Sequence, residues 1–385
     1  MTLDLNLAFR PSDPVLRIER TSRRVQQPQS TADLVSLAMG EPNFDTPASI
    51  REAAERAMAE GRTHYSPLVG EPALREALAE KLSAQAGEQL LPADVLVTHG
   101  GTAGLAAVIL GIVNPGDKVV IPDPTYSLYS DLISMAGGEC VPVPLRDNLH
   151  WDLAALEAAI KGARLFVFCN PSNPTGIVHT RSELDALGDM LAGTDTLVLS
   201  DEAYSDLVYT PGPFTSALEV PSLRGRTVYV QTFSKSYAMT GWRVGYVWGP
   251  DDVVAATTRI HATFNGSVSG VNQYAALAAL KEGDADLQRM LEAYRRRRAL
   301  MLEGLAGIPG LTASSPEGAF YLFPRYDADF SSADLTARLR DGGVAVRPGS
   351  EFGKHGEHHL RLSYAASEQE ITEGIKRLAA GLAGL

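Results

Sequence analysis

The sequence predicts an α/β fold, a mostly parallel sheet sandwiched by helices, with a smaller α/β unit beside it. Short apolar runs at residues 95–98, 118–121, 139–143, 165–169, 197–200 and 228–231 have the length and character of buried strands. The segments between them, 103–113, 126–136, 152–160 and 182–191, are long enough to be the helices that connect parallel strands. A chain of 385 residues, 45% hydrophobic and 21% charged, has the size and composition of two globular domains.

The first forty residues carry mixed charge and the run Gln-Gln-Pro-Gln at 26–29, and read as an arm or short helix packing on a partner subunit. Thr46 and Pro47 then supply an N-cap and a first helical residue. The stripe Ile50, Ala53, Ala54, Ala57, Met58 continues that helix to about Gly61. The central block, about 65–270, is the α/β sandwich. Three helix-like stretches follow Pro250, and the one at 284–305 contains four consecutive arginines, Arg295 to Arg298. Such a run suggests nucleic acid, but beside Glu292 and Glu303 in an acidic chain it reads as a solvated helix face. Strands at 319–324, 344–347 and 359–363, with helices at 332–339 and 368–382, make the smaller unit. The resulting division is an arm with a small-domain segment at 1–45, a large domain at 46–270, and a connecting helix with the C-terminal small domain at 271–385.

With 46 acidic against 34 basic side chains the net charge is −12, which excludes bulk attraction to a polyanion. No run approaches the ~18 apolar residues of a spanning helix, and the N-terminus lacks a basic start ahead of an apolar core, so neither membrane insertion nor a secretory signal is expected. Two cysteines, Cys140 and Cys169, are too few for a disulfide framework and point to a reducing cytoplasm.

The densest chemistry lies in Thr232-Phe-Ser234-Lys235-Ser-Tyr-Ala-Met-Thr-Gly-Trp-Arg243-Val-Gly245, just after a strand. A lysine at a strand end beside hydroxyls and an arginine sits in a cationic, partly desolvated place, and both influences lower its pKa. The neutral amine makes Schiff bases with aldehydes. Two hydroxyls and a guanidinium make a phosphate cradle. An aldehyde that carries a phosphate is pyridoxal phosphate. A lone Ser-Lys pair is ordinarily an exposed loop feature, and it is the length of this string that argues for a site.

Asp201 ends the run at 197–200 and begins Asp-Glu-Ala-Tyr204, at the carboxyl end of a strand, where ligands bind in open α/β sheets. There a carboxylate pairs with a pyridine nitrogen and Tyr204 donates to the ring oxygen; a metal-ligand pair or a helix cap are the other readings of Asp-Glu. Asn170-Pro-Ser-Asn173-Pro-Thr-Gly176 forms a rigid loop after another strand and directs Asn173 toward the same oxygen. Gly100-Gly101-Thr102-Ala103-Gly104 opens a helix, an anion site that also serves as a plain tight turn. Tyr126, after Asp123, can stack on an aromatic cofactor or simply pack in the core. Arg361, alternating with Leu360 and Leu362, suits a substrate carboxylate or a surface ion pair. His355, His358 and His359 are a weak metal set, because neighbouring strand residues face opposite ways, and no metal is expected.

Together these stretches resemble the class I/II aminotransferases, pyridoxal-phosphate enzymes of fold type I, over about residues 35–380. The anchors are Gly40-Glu-Pro-Asn-Phe44, Tyr65 with Gly70 and Leu74-Arg75, 170–176, 201–204, 234–245 and Arg361-Leu-Ser363. The resemblance implies that Lys235 forms the Schiff base with the cofactor and moves the proton of a ping-pong transamination from an L-amino acid to a 2-oxo acid. It implies Asp201 at the pyridine nitrogen, Asn173 and Tyr204 at the ring oxygen, and Tyr126 on the ring. Gly101, Thr102, Ala103, Thr232, Ser234 and Arg243 would surround the phosphate. The Gly40 backbone, Arg361 and Asn173 would take the substrate α-carboxylate. In similar enzymes the tyrosine matching Tyr65 reaches the neighbouring subunit's phosphate, implying a homodimer. Thr102 stands where aspartate-preferring relatives often carry a lysine; Arg20 or Arg62 are candidates to compensate. Two other functions share the scaffold: a β-eliminating lyase of the cysteine-S-conjugate or cystathionine type, and a non-catalytic pyridoxal-phosphate-binding protein.

Overall fold

The computed structural model describes residues 10–24 and 33–383; the Gln-Gln-Pro-Gln run lies outside them. Helix α1 (Asp13–Thr21) bears out the short-helix reading of the arm. It packs on this chain's own sheet domain: the Arg17 guanidinium donates to the carbonyls of Ser134 and Met135 at 2.8 and 3.0 Å. Strand β1 (Val35–Ser36) follows, then α2 (Ala48–Ala59) and α3 (Pro72–Ala86). Thr46 does not cap α2. Pro47 takes the cap position, while the Thr46 hydroxyl donates to the Ala238 carbonyl at 2.6 Å and accepts from the Trp242 indole at 3.0 Å. A tertiary partner outcompetes the local one.

The sheet begins with β2 (Val95–Thr98), α4 (Gly100–Ile112), β3 (Lys118–Asp123), α5 (Leu128–Ala136) and β4 (Glu139–Pro144). It continues with α6 (Leu153–Ile160), β5 (Leu165–Cys169), α7 (Arg181–Met190), β6 (Leu197–Asp201), the short α8 (Pro221–Arg224) and β7 (Thr227–Thr232). The one-turn α9 (Phe233–Ser236) then leads to β8 (Gly245–Trp248). The seven strands lie in the order β2-β8-β7-β6-β5-β3-β4, and only β8 runs against the others. The inner strands are buried on both faces and read as apolar runs, while the edge strand β4 is largely exposed. Val119, Leu165 and Val167 face one side with Leu105 and Ile109 of α4, while Val120, Phe166 and Phe168 face the other with Leu184 and Leu187 of α7. Every predicted strand of this sheet is present. Strand β8 went unread because its four residues follow directly on the Lys235 motif and need only a loop to pair antiparallel.

After the sheet come α10 (Asp251–Phe264), α11 (Gly270–Glu282) and α12 (Asp284–Ala306). The arginine run on α12 divides. Arg295 and Arg296 face Glu292 in solvent, but Arg297 is buried, donates to the Asn43 side chain at 2.7 Å and lies over the Phe44 ring. Arg298 donates to the Pro316 carbonyl. A solvated face describes only half of the run.

The remaining elements are β9 (Leu311–Thr312), β10 (Tyr321–Leu322), β11 (Arg325–Tyr326), α13 (Ser332–Asp341), β12 (Val344–Ala345), β13 (Arg347–Pro348), β14 (Leu360–Ser363) and α14 (Glu368–Leu382). Strand β1 pairs with β12, tying the N-terminal segment to this C-terminal layer. Among the described residues no helix is long and apolar enough to cross a membrane.

Candidate active site

Strands β2, β3, β5, β6 and β7 are parallel, so their carboxyl ends, and the motifs that follow them, meet at one edge of the sheet. The reversed β8 starts where the others end, which brings Arg243 to the same edge. A cavity of about 310 Å³ opens there. Of the sequence-predicted residues it is lined by Gly40, Gly101, Thr102, Tyr126, Asn173, Asp201, Tyr204, Thr232, Ser234, Lys235, Arg243 and Arg361.

Lys235 sits on α9, whose first turn is capped by Thr232: the Thr232 hydroxyl oxygen accepts from the Ser234 amide at 3.2 Å. Its Nζ donates to the Gly40 carbonyl at 2.7 Å. Burial lowers the Lys235 pKa to about 8, helped by Arg243 and Arg361 and opposed by Glu41 and Asp201. Asp201, at the end of β6, accepts from the Tyr129 hydroxyl at 2.6 Å and from the Ala203 amide at 3.2 Å. Burial raises its pKa to about 6, against the pull of those hydrogen bonds and of Lys235. The Tyr204 hydroxyl lies 2.9 Å from that of Tyr321.

The opposite wall holds Arg361. Its neighbours Leu360 and Leu362 are wholly buried, as strand alternation requires, while its guanidinium lines the cavity between the rings of Tyr321 and Phe352. Nη1 donates to Asn173 Oδ1 at 3.1 Å and Nη2 to the Ala38 carbonyl at 2.7 Å. Nε is buried without a hydrogen-bond partner. Beside it Arg347 and Glu351 form a buried ion pair, with 2.7 Å between Nε and Oε2.

At the far end, Gly100 opens α4 with φ +74°, and a Cβ there would come within 2.6 Å of Arg243 Nη2. Gly245 fits as closely, its hypothetical Cβ only 2.7 Å from the Gly100 carbonyl carbon and the Gly101 nitrogen. The α4 N-terminus, the hydroxyls of Thr232 and Ser234 and the Arg243 guanidinium thus meet at one end of the cavity, a donor set that suits an anion.

Tyr65 and Ala103 do not line this cavity. Tyr65 is 100% exposed, and Ala103 lies in the first turn of α4. Neither Arg20 nor Arg62 reaches it; Arg62 lies over the Tyr274 ring. Arg24 does line it, a cation that sequence reading missed. Tyr129 was missed too; it is the second residue of α5, and its ring lies edge-on to that of Tyr126 with 5.6 Å between centroids. His355 pairs with Asp123 at 2.9 Å, His359 stacks on Phe323 and His358 is exposed, so the three do not converge.

The donor set fits pyridoxal phosphate. A buried amine of lowered pKa suits the aldehyde, a buried carboxylate suits the pyridine nitrogen, and the glycine-lined, cationic end suits the phosphate. The chain belongs to the aminotransferase class I and II family, whose model matches residues 32–378. It is a pyridoxal-phosphate-dependent aminotransferase of fold type I, acting on amino acids and 2-oxo acids. It is 37% identical over 377 residues to a probable aspartate/prephenate aminotransferase of Thermus aquaticus, covering 96% of this chain and 97% of that one. It is 33% identical to an aspartate aminotransferase of Pyrococcus horikoshii, with 97% of each chain covered. Among solved structures it superposes on the Thermus thermophilus aspartate aminotransferase with maleate at TM-score 0.86 and 36% identity, covering 97% of this chain and 98% of the other. An aromatic aminotransferase from Pyrococcus horikoshii superposes at TM-score 0.88 and 34% identity, covering 95% and 98%.

Proposed function

We propose that the cavity transfers the amino group of an acidic L-amino acid to a 2-oxo acid, with Lys235 as the catalytic residue. The observation that carries this is the buried Lys235 amine, its pKa lowered to about 8, in a cavity that also contains Asp201 and Arg361. Bound there, pyridoxal phosphate supplies an aldehyde for the amine and an electron-withdrawing ring beside the substrate α-carbon.

The chain's own groups do the rest. Lys235, with a pKa close to working pH, takes a proton and returns it a few ångströms away. Asp201 keeps a cationic ring nitrogen paired. Asn173 and Tyr204 orient the ring oxygen, and Tyr126 covers the ring. Gly101, Thr102, Thr232, Ser234 and Arg243 would hold the phosphate; Ala103, which lies outside the cavity lining, would not. Arg361, braced by Asn173 and Ala38, grips the α-carboxylate with the Gly40 backbone. Arg24 at the cavity supplies charge for a second carboxylate where Thr102 does not, in keeping with the names of the aspartate-using relatives.

The active unit is a homodimer in which Tyr65 completes the partner's phosphate site; its full exposure and its place outside its own chain's cavity support this. A cytoplasmic setting fits the two free cysteines. The division of the chain at 45 and 270 separates the sheet domain from the C-terminal layer, to which the N-terminal segment belongs through the β1–β12 pair.

The test is the visible absorption of the holoenzyme mixed with single L-amino acids and no acceptor. Aspartate or glutamate should bleach the cofactor band and leave one equivalent of 2-oxo acid. Continued 2-oxo acid release without acceptor would instead establish the lyase. Retention of biological activity in Lys235→Ala would establish the binding protein.

A further inference from the structure

Away from the cavity, the turn before α6 and the start of α7 bring His150, His179 and Glu183 together, with one ligand-type atom from each lying within 4.8 Å of the others. Glu183 Oε1 is 3.1 Å from His150 Nδ1 and 3.9 Å from His179 Nδ1. A tetrahedral zinc ion with bonds of about 2.0–2.1 Å holds its ligands about 3.3 Å apart, so these separations bracket what the ion needs. We propose that His150, His179 and Glu183 form a structural site for a divalent transition metal of the zinc type, with solvent supplying the fourth ligand.

A second feature points the same way. His179 is 3% exposed and stacked on Trp151, yet its Nδ1 has no hydrogen-bond partner. A buried imidazole nitrogen left without a partner is costly in a protein interior, and here it faces a carboxylate beyond hydrogen-bond range. Glu183 is held in place by its capping box, its Oε2 accepting from the Thr180 amide at 2.8 Å, while both its oxygens lie within 3.1 Å of His150 Nδ1 and Oε1 also faces His179. On the far side of His150, Nε2 lies 4.0 Å from a Glu317 carboxylate oxygen, too far for a hydrogen bond but close enough for a charge contact.

The site adjoins the cofactor loop. The His179 amide donates to Asn170 Oδ1 at 3.0 Å, and Glu317 accepts from the Val178 amide at 2.9 Å. A bound ion staples the end of the 170–176 loop to the turn at His150.

The experiment uses pyridoxal-phosphate-loaded enzyme, stripped with a chelator, exposed to Zn²⁺ alone, desalted and analysed for metal. A parallel Co²⁺ titration reads the ligand-field bands of a tetrahedral site. The wild type should hold one ion per chain and melt at a higher temperature with metal than without. His179→Gln and His150→Gln should each retain less than a tenth of the wild-type metal. His150 lies at the rim, so its variant decides the matter should the His179 variant fail to fold. A wild type that retains no metal, or a His150→Gln variant that retains it fully, overturns the proposal.

Discussion

Replacing Tyr129 by phenylalanine removes one atom from the wholly buried neighbourhood of Asp201 and leaves the ring packing intact. The Tyr129 hydroxyl donates to Asp201 Oδ2 at 2.6 Å, one of the bonds that hold the carboxylate's pKa down against burial. A hydrogen bond to a charged group contributes about 1.5–3 kcal/mol, which at 1.36 kcal/mol per unit is a rise of about 1–2 pKa units. Starting from about 6, Asp201 in the variant would titrate between about 7 and 8. The ionised fraction at pH 7 then falls from about nine-tenths to between a half and a tenth. A cationic ring nitrogen lowers the value in both proteins, so the difference between them is the quantity to read. The assay is the pH profile of kcat/KM for the half-reaction with a single amino donor. The acidic limb should move upward by about 1–2 units in Tyr129→Phe, with activity recovering to near wild type on the alkaline side. Coincident acidic limbs, or an equal loss at every pH, would refute the assignment of Tyr129 as the residue that keeps Asp201 ionised.

Other expectations follow from the same geometry. Because Lys235 in the free enzyme titrates at about 8, reconstitution of apoenzyme with pyridoxal phosphate should accelerate about tenfold per pH unit below that value and level off above it; stopped-flow absorbance reads the rate. Gly100→Ala places a Cβ in a left-handed backbone and against Arg243, so cofactor affinity measured by equilibrium dialysis should fall on the order of tenfold, the equivalent of about 1–2 kcal/mol of strain. Glu202 is wholly buried and its pKa is raised to about 8 by burial despite bonds from Ser200, Ser216 and the Ala217 amide. Its folded-state value exceeds its unfolded one, so the native state binds the extra proton and stability is lost as pH rises from about 4.5 to about 8. Glu202→Gln should remove that loss, on the order of 1.4 kcal/mol per pH unit, in urea titrations across the range.

Sequence reading reached the parallel sheet and the strand-end motifs for the same physical reason. Strands buried on both faces write themselves as unbroken apolar runs, and the residues that interrupt the next few positions, Asp201, Asn173 and Lys235, have no structural excuse for being there. What escaped was whatever depends on chain segments meeting from afar. Tyr129 looks like an ordinary core tyrosine until β6 places Asp201 against it. Arg24 follows α1 with no motif around it. Strand β8 is legible only once β2 and β7 are known to need a partner between them. Thr46 carries a perfect local capping signal and spends it on Ala238 and Trp242 instead. His179 and Glu183 do stand four apart, a spacing that flags one helical face, but His150 joins them only through the fold.

Two cations of the cavity, Lys235 and Arg361, rest on main-chain oxygens, Lys235 on Gly40 and Arg361 on Ala38, in a segment outside the sheet. A carbonyl cannot be mutated away, so residue changes at 38 and 39 leave the anchoring chemistry in place, while Gly40 is held to its identity by the Tyr321 hydroxyl at 2.5 Å from any added Cβ. Displacement of the segment, by contrast, takes the carbonyl partner from Lys235 and leaves Arg361 with its Asn173 contact but not its main-chain one. Substrate grip and proton transfer are therefore joined to the position of a single short stretch of backbone, and substitutions that merely shift that stretch will register as changes in turnover and affinity together, at residues that touch no substrate.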